Sequence, residues 1–471
     1  MNNTLPYDEY SPKSIESYAK QIEGLTFREI LTDAHEEYKG KGGLGQIIEK
    51  YHFMYELNSD KEPDFNNAGV ELKVTPYKRI KKTKKNPIPY SAKERLVMNV
   101  INFEEIVNES FSTSSFLHKN SLLLLLFYLH DYDKADRLDF IIKYAQLFQY
   151  PKEDFQIIEQ DWNKIVNKIR EGKAHELSEG DTMYLGACTK GSRKEDNYRK
   201  QPYSDTKAQQ RAFSLKNSYM THILRNYILE KKQTYEPIIK DSSILEHQTL
   251  ETYVENKISK YYGRDIESLC SEFNVSIHAK DKTSKVALKI LGVNSNSAEE
   301  FKKANIEIKT IRIESNGIIK QHMSFPAFEF KSLINETWEN SNFRCKLNET
   351  KFFFIIYRFD NTQKLILEKT MFWNMPVNII ETEVRQVWLK TIETIKNGVI
   401  LTKRKTKVFN NLPSASDNNV CHVRPHASKA SYEPFNKNAD ELPDGRWMTK
   451  QCFWLNNNFI LNQINKTGLT K

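Results

Sequence analysis

The sequence predicts an α/β chain of two tandem domains, each a mixed β-sheet flanked by helices. Three observations predict it. The segment IVNESFSTSSFLHK at 106–119 recurs without a gap as LINETWENSNFRCK at 333–346. Each copy is followed within a few residues by a very apolar run, LLLLLFYL from Leu122 and FFFIIY from Phe352, as expected of a central strand covered on both faces. Two more segments recur in the same order: VELKV at 70–74 with IEIKT at 306–310, and RAFSLKNSYM at 211–220 with QCFWLNNNFI at 451–460. One similar strand arises easily by chance; three ordered recurrences mark a duplicated domain of roughly 200 residues.

In the first copy a helix is expected near Phe27 to Tyr38, ahead of the glycine-rich loop from Gly40 to Gly45. Gln46 to Glu56 reads as a helix, because Ile47, Ile48, Tyr51 and Tyr55 fall on one face. A strand through Glu71 and Lys73 follows, then a helix over Phe103–Phe111, the central strand Leu122–Leu129, and a helix over Phe155–Glu171. The first domain is placed at 1–232 and the second at 248–471. The segment 233–247, with a proline and a serine pair but no periodicity, is read as a linker.

Composition narrows the class. Hydrophobic residues make up 39% and charged residues 28% of the 471, ordinary for a globular protein with a sizeable core. The net charge of +9, from 70 Lys+Arg against 61 Asp+Glu, favours a polyanionic partner without proving one. Five widely spaced cysteines with no CxxC argue against a disulfide framework or structural zinc and for a reducing cytoplasm. The N-terminal residues lack the apolar core of a signal peptide, and the longest apolar run is too short to span a bilayer. No membrane association is expected.

The chemistry is concentrated in residues 61–79, KEPDFNNAGVELKVTPYKR. Glu71 and Lys73, two apart on a strand, project from the same face, and Asp64 arrives from the preceding turn. Phosphodiester hydrolysis needs an activated water and a neutralised leaving oxygen, and a bound Mg2+ supplies both. Mg2+ takes hard oxygen ligands and only one or two carboxylates; Asp64, Glu71 and the Leu72 carbonyl are the candidates. Lys73 would orient the water and stabilise developing phosphorane charge, with Glu49 helping from the preceding helix. The same E-x-K pair is also an ordinary exposed salt bridge. The basic run Lys78, Arg79, Lys81, Lys82, Lys84 and Lys85, usually just a solvated segment, reads here as phosphate contact.

The assembled pattern, GKGGLGQIIEKYHF, then EPDFNNAGVELKVTP, then FLHK, resembles the MutH class of DNA nucleases within the PD-(D/E)xK superfamily, over most of residues 20–225 and more loosely over 250–470. The resemblance implies two restriction-endonuclease-like (MutH-like) domains. It implies catalytic roles for Glu49, Asp64, Glu71 and Lys73, with Lys119 as a further lysine near the active site, and it implies GATC recognition and Mg2+-dependent cleavage. The doubled architecture is similar to that of the restriction members, which cut before the G and leave a four-base 5′ overhang. A loop late in the domain enters the major groove in this family. Its matching contexts are YLGACTKGSRK at 184–194 and NVCHVRPHASKA at 419–430. Lys190, Arg193, Arg424 and His426 are the candidate base or phosphate contacts, though each is equally a residue of a basic surface loop. A tyrosine linked to sensing adenine methylation in MutH relatives is Ser214 here, which leaves methylation sensitivity open.

The second copy departs from the pattern. Glu300, Glu307 and Lys309 keep the spacing of Asp64, Glu71 and Lys73. The glycine loop, however, is replaced by DKTSKVALKILG, and Ile290 stands where Glu49 would be. Mg2+ tolerates disturbed geometry poorly, so this degenerate site is expected to bind DNA without cutting. The rival is a second working site. The leading reading is a Mg2+-dependent restriction endonuclease for double-stranded DNA with two GATC sites per chain, the second an allosteric effector. The chain is expected to be monomeric without DNA, pseudo-dimeric by duplication, and to dimerise on DNA if at all. The alternatives are a mismatch-repair nicking nuclease and a non-catalytic protein of two degenerate nuclease folds.

Overall fold

The structure is a computed structural model and describes residues 5–31, 43–55, 61–82, 87–191, 197–229, 236–294, 298–405 and 407–466. The chain divides into two compact units, Met1–Thr252 with Ser297–Asn305, and Tyr253–Asn296 with Ile306–Lys471.

The strands of the first unit are β1 (Glu71–Arg79), β2 (Tyr90–Ala92), β3 (Leu96–Val100), β4 (Leu122–Leu129), β5 (Ile141–Gln149), β6 (Leu185–Thr189), β7 (Tyr198–Gln201), β8 (Ser204–Gln209) and β9 (Arg211–Leu215). They form a mixed sheet ordered β2-β1-β4-β5, a second sheet ordered β3-β9-β6, and the hairpin β7-β8. β1 runs parallel to β4, with Glu71 opposite Leu123 and Lys73 opposite Leu125; the other pairings are antiparallel. Leu123–Phe127 are fully buried, the burial that an unbroken apolar run predicts for a strand between two neighbours. The helix Lys152–Arg170 lays Ile157, Ile158, Trp162, Ile165, Val166 and Ile169 into the core, the 3- and 4-residue steps of one helix face.

The second unit repeats this plan. Its strands are β10 (Ile306–Ile313), β11 (Met323–Ala327), β12 (Lys351–Phe359), β13 (Leu365–Trp373), β14 (Leu401–Arg404), β15 (Lys407–Asn410), β16 (Cys421–Pro425), β17 (Ala439–Glu441), β18 (Trp447–Thr449) and β19 (Gln451–Leu455). The sheet β10-β12-β13 matches β1-β4-β5, again parallel then antiparallel. The sheet β11-β19-β16 matches β3-β9-β6, and β14-β15 and β17-β18 are hairpins.

The strongest repeat in the sequence has a local physical cause. Ser114 caps the helix Ser115–Asn120 by accepting from the Leu117 N–H at 3.1 Å, and Glu109 accepts from the Ser115 N–H at 3.0 Å. Ser341 and Glu336 do the same for the helix Asn342–Glu349, at 3.1 Å from Arg344 N–H and 3.3 Å from Asn342 N–H. These side chains satisfy backbone donors that a helix start leaves open, and they fix the helix that carries Lys119 in one copy and Lys346 in the other.

Several boundaries differ from expectation. The helix at Phe27 is described over Phe27–Leu31; residues 32–38 and glycines 40 and 42 lie outside the described residues. The next helix begins at Leu44 and passes at Ile48–His52 into a wider turn, closed by Phe53 N–H to the Ile48 carbonyl at 3.0 Å. The helix at Phe103 stops at Ile106, because Glu109 is drawn off to the following helix start and the Ser110 and Thr113 hydroxyls bond each other at 2.7 Å. The expected linker is in large part bound structure. Gln160 on the long helix donates to the Leu245 and Gln248 carbonyls at 2.9 and 3.3 Å, so this stretch belongs to the first unit. All five cysteines are free, and among the described residues no helix is long and apolar enough to cross a membrane.

Candidate active site

Asp64 reaches Glu71 through a closed turn rather than along an extended chain. Phe65 and Val70 pair as a two-residue bridge, N–H to carbonyl at 2.9 and 3.2 Å in the two directions. Gly69 makes the reversal at φ +65°, in the left-handed region that glycine enters without a Cβ penalty. This returns Asp64 to the start of β1. Its N–H donates to the Glu71 carboxylate at 3.1 Å, and its own carboxylate accepts from the Leu72 N–H at 2.9 Å. The N–H and C=O of one strand residue point to the same edge, so the Leu72 carbonyl lies on the Asp64 side of β1. That edge meets β2 only from Tyr77 onward.

Glu71 is the centre of the cluster and is 2% exposed. Lys73 donates to it at 2.5 Å from two residues along the strand. Lys119 approaches the same oxygen at 3.9 Å from the end of its capped helix. Glu49 comes from the turn Ile48–His52. Its helix packs on β1 so closely that a Cβ at Gly45 would sit 3.8 Å from Val74 Cβ and 3.7 Å from Glu49 Oε1. The sequence candidates Glu49, Asp64, Glu71, Leu72, Lys73 and Lys119 therefore all line one open cleft of about 840 Å³.

Three carboxylates face two lysines, and the electrostatics record the imbalance. Burial first, and then the Glu71 charge, pushes the Asp64 carboxyl up to about 7, against the opposing pull of Lys73 and the Leu72 N–H. Burial also raises Glu49, with Lys73 opposing. Burial first, and then the Asp64 charge, also raises the Tyr55 hydroxyl, which is buried with no hydrogen-bond partner. A divalent cation would relieve this excess of negative charge. The donors are hard oxygens, and among the described residues no group of three or more His, Cys, Asp or Glu converges as a metal cage. Two carboxylates, a strand carbonyl and water fit Mg2+, which keeps part of its hydration shell.

The sign for pH follows. Asp64 holds its proton more tightly folded, at about 7, than at the ordinary 3.8. Its ionisation therefore costs stability progressively as pH rises from about 4 to 7, and the full cost stands above 7. Asp64→Asn is expected to raise the melting temperature of the metal-free protein at pH 8 by roughly 2–4 °C, the shift of about 1 kcal/mol in a unit of this size. At pH 5.5 the gain should shrink, and added MgCl2 should stabilise the wild type alone at pH 8. Thermal melts with EDTA and with MgCl2 check this; a lower melting temperature for the variant at pH 8 would contradict the buried-charge account.

The basic residues divide. Lys190, just past β6, lines the cleft as expected. Arg193 lies outside the described residues, as do Lys84 and Lys85. Lys78, Arg79, Lys81 and Lys82 do not flank the carboxylates: β1 begins at Glu71 and ends at Arg79. At about 3.3 Å per residue the run lies roughly 23 Å or more along the strand, and none of the four lines the cleft. Adjacency in sequence is not adjacency in space here, because an extended strand carries the chain away from the carboxylates. Lys61, Arg199 and Lys200 line the cleft instead. Tyr198-Arg199-Lys200 is a basic aromatic step in the sequence, but only the folding of hairpin β7-β8 brings it to the site.

In the second unit, β10 places Glu307 and Lys309 as β1 places Glu71 and Lys73, and Lys346 occupies the place of Lys119. Glu307 accepts from Lys346 and forms an ion pair with Lys309 at 3.3 Å. Burial would raise its carboxyl, but Lys346 and then Lys309 hold it below the usual range. Ile290, at the Glu49 position, is buried. The assignment of Glu300 as the counterpart of Asp64 does not hold in space. Its carboxylate accepts from the Ile238 and Ile239 N–H groups, both at 2.9 Å, within the first unit. A short helix, Glu299–Lys303, stands in place of the Pro63–Gly69 turn. One carboxylate between two lysines is already neutralised and has no surplus for a cation.

Arg424 and His426 lie at the exposed end of β16, the strand that matches β6. The Arg424 guanidinium sits 5.1 Å over the Trp454 ring, the indole N–H donates to the Arg424 carbonyl at 3.3 Å, and the His426 ring is 5.8 Å from the indole. In the register of the two sheets Trp454 stands opposite His422 as Ser214 stands opposite Gly186, so the first unit has no such aromatic.

A family model described as the DNA mismatch repair enzyme MutH matches the chain twice, over residues 53–161 and 291–386. The type II restriction enzyme Sau3AI of Staphylococcus aureus is 38% identical over 490 aligned positions, covering 96% of this chain and 98% of that protein. The DNA mismatch repair protein MutH of Shewanella woodyi is 29% identical over 193 positions, covering 37% of this chain and 76% of its own.

Proposed function

Because the chain belongs to the MutH-type endonucleases and is a DNA hydrolase of the restriction-enzyme kind, we propose that it cuts double-stranded DNA at GATC, 5′ of the G, with Mg2+ bound in the first unit. The observation that carries this is the contrast between the two copies. The first gathers Asp64, Glu71 and Glu49 beside Lys73 and Lys119, while the second retains Glu307 alone between two lysines. Mg2+ held by Asp64, Glu71 and the Leu72 carbonyl would activate the attacking water and offset charge on the leaving oxygen. Lys73 would orient that water and stabilise charge building on the phosphoryl oxygens. Lys119 faces Glu71 from the other side, and Glu49 offers a further acceptor for the water. Lys190, Arg199 and Lys200 hold the DNA backbone in the cleft. The second unit, presenting Arg424 and His426 around Trp454, binds another GATC duplex and acts as an effector.

The reach of the restriction relative over nearly the whole doubled chain favours this over a nicking repair enzyme, whose match covers 37%. Digestion of a plasmid with the purified chain and MgCl2, followed by sequencing of the ends, tests it. The expected ends all carry a four-base GATC 5′ overhang, and EDTA abolishes them. Ends at another sequence would remove the GATC assignment, and undiminished cutting in EDTA would remove the metal.

A further inference from the structure

In the first repeat, the residues just ahead of the catalytic strand supply Asp64. In the second repeat, the residues at the same place, Ala298–Asn305, fold into the first unit. Ala298, Glu300, Phe301, Lys303 and Ala304 are all buried there. Ala298 pairs with Glu236 as a parallel bridge, and Glu300 takes the Ile238 and Ile239 N–H groups. Lys303 forms an ion pair with Asp154 at 2.8 Å, with side chains only 4% and 1% exposed, and with Glu299 at 2.9 Å. The Tyr219 hydroxyl donates to the other Asp154 oxygen at 3.0 Å, and Ser218 Oγ donates to the Lys303 carbonyl at 2.7 Å. At Asn305 the backbone turns through φ +53°, and the next residue opens β10, which carries Glu307 and Lys309.

The groups that this strap grips lead to the cleft. Ser218 and Tyr219 lie on the helix Asn217–Ile223, which directly follows β9. β9 is the middle strand between β3, whose Met98, Asn99 and Val100 line the cleft, and β6, which ends beside Lys190. The same helix bonds β2, with Ala92 N–H to Thr221 Oγ1 at 3.1 Å and Asn217 Nδ2 to the Ala92 carbonyl at 3.3 Å. β2 in turn pairs with the far end of β1. A shift of the strap would thus move both the cleft wall and the strand that holds Glu71. A buried ion pair adds little net stability over an apolar pair of the same size, and its best-attested use is to fix one arrangement among several.

We propose that the strap Ala298–Asn305, latched by Lys303 on Asp154, is the link through which DNA on the second unit sets the cutting rate of the first. This rests on the effector reading above. Lys303 and Asp154 are positioning residues: they act through the helix Asn217–Ile223 and touch neither substrate nor metal. The physical requirement is one element with two arrangements that both sites bias.

The test uses the full chain and a duplex with a single GATC site, cut with and without an added GATC oligonucleotide duplex, comparing wild type with Asp154→Asn/Lys303→Met. Removing both charges leaves neither ion stranded. The wild type is expected to be stimulated severalfold. The double variant is expected to keep its unstimulated rate and still bind two duplexes per chain in EDTA, but with stimulation reduced to about twofold or less, a nearly absent coupling free energy. Stimulation of the variant equal to wild type overturns the strap and leaves the effector reading standing. No stimulation of the wild type, or a single duplex bound, overturns both. If the double variant fails to fold, Ser218→Ala, which removes only the hydroxyl bond to the strap, serves in its place. It must show the same loss of stimulation for the proposal to stand.

Discussion

Glu71→Gln is expected to lower the cleavage rate by about 10³-fold or more, the scale on which single transition-state contacts are lost, while the affinity for a GATC duplex stays the same or rises. Glu71 accepts from the Asp64 N–H, from Lys73 and, at longer range, from Lys119. Glutamine keeps the shape and removes the charge. Under the proposed mechanism it takes away one metal ligand and the partner that holds Lys73 beside the attacking water. The loss should fall on kcat, because the cleft-lining cations Lys190, Arg199 and Lys200 are untouched and the cleft becomes less negative. The companion change Glu307→Gln is expected to leave the rate within about twofold, since a carboxylate already paired with Lys346 and Lys309 offers nothing to the chemical step. Rates under single-turnover conditions and titration with labelled duplex in EDTA separate the two effects. Glu71→Gln cutting at close to the wild-type rate would end the active-site assignment, and a dead Glu307→Gln would make the second unit a working nuclease.

A comparable effect on stability is expected at Asp161, away from the chemistry. Its carboxylate is 3% exposed and accepts from three consecutive N–H groups: Met183 at 2.7 Å, Tyr184 at 2.6 Å and Leu185 at 2.9 Å. Lys216, also buried, opposes it electrostatically and donates to the Thr182 carbonyl at 2.5 Å. Asp161→Ala strands three backbone donors in the interior and removes the countercharge that faces Lys216. Breaking such a buried charge set costs about 3–5 kcal/mol, a fall of roughly 6–20 °C in melting temperature for a unit of this size. The fall should come with weaker DNA binding, because Asp161 ties the long helix to the start of β6 and Lys190 directly follows the end of β6. A melting temperature within about 2 °C of wild type would show that these hydrogen bonds do not anchor the strand.

The duplication was legible because its strongest signal is local. Ser114 and Glu109, like Ser341 and Glu336, cap a helix within six residues of chain, and a capping pattern leaves its mark in adjacent positions. The central strands were legible for a similar reason: Leu122–Leu129 is a run that only a doubly covered strand explains. The acidic set was legible from residue type and spacing, although the closed turn at Gly69 was not. The place of the basic run was not legible, because β1 carries Lys78–Lys82 away from the carboxylates, whereas Arg199 and Lys200 return to them through a hairpin. Glu300 was misread because equal spacing to Glu307 does not secure equal conformation; a helix there turns the side chain into the first unit.

The sequence by itself determined what short-range physics writes down: strand and helix periodicity, the helix caps, the residue types of the candidate acidic set, and the resemblance that those motifs carry. The tertiary structure alone decided which cations share the cleft with Asp64 and Glu71. It alone showed that Glu307 is neutralised by Lys346 across elements, and that a strap from the second repeat is buried on Asp154 of the first. These are contacts between residues tens to hundreds of positions apart. Coulomb energy and burial depend on distance in space, which the spacing of residues along the chain does not set.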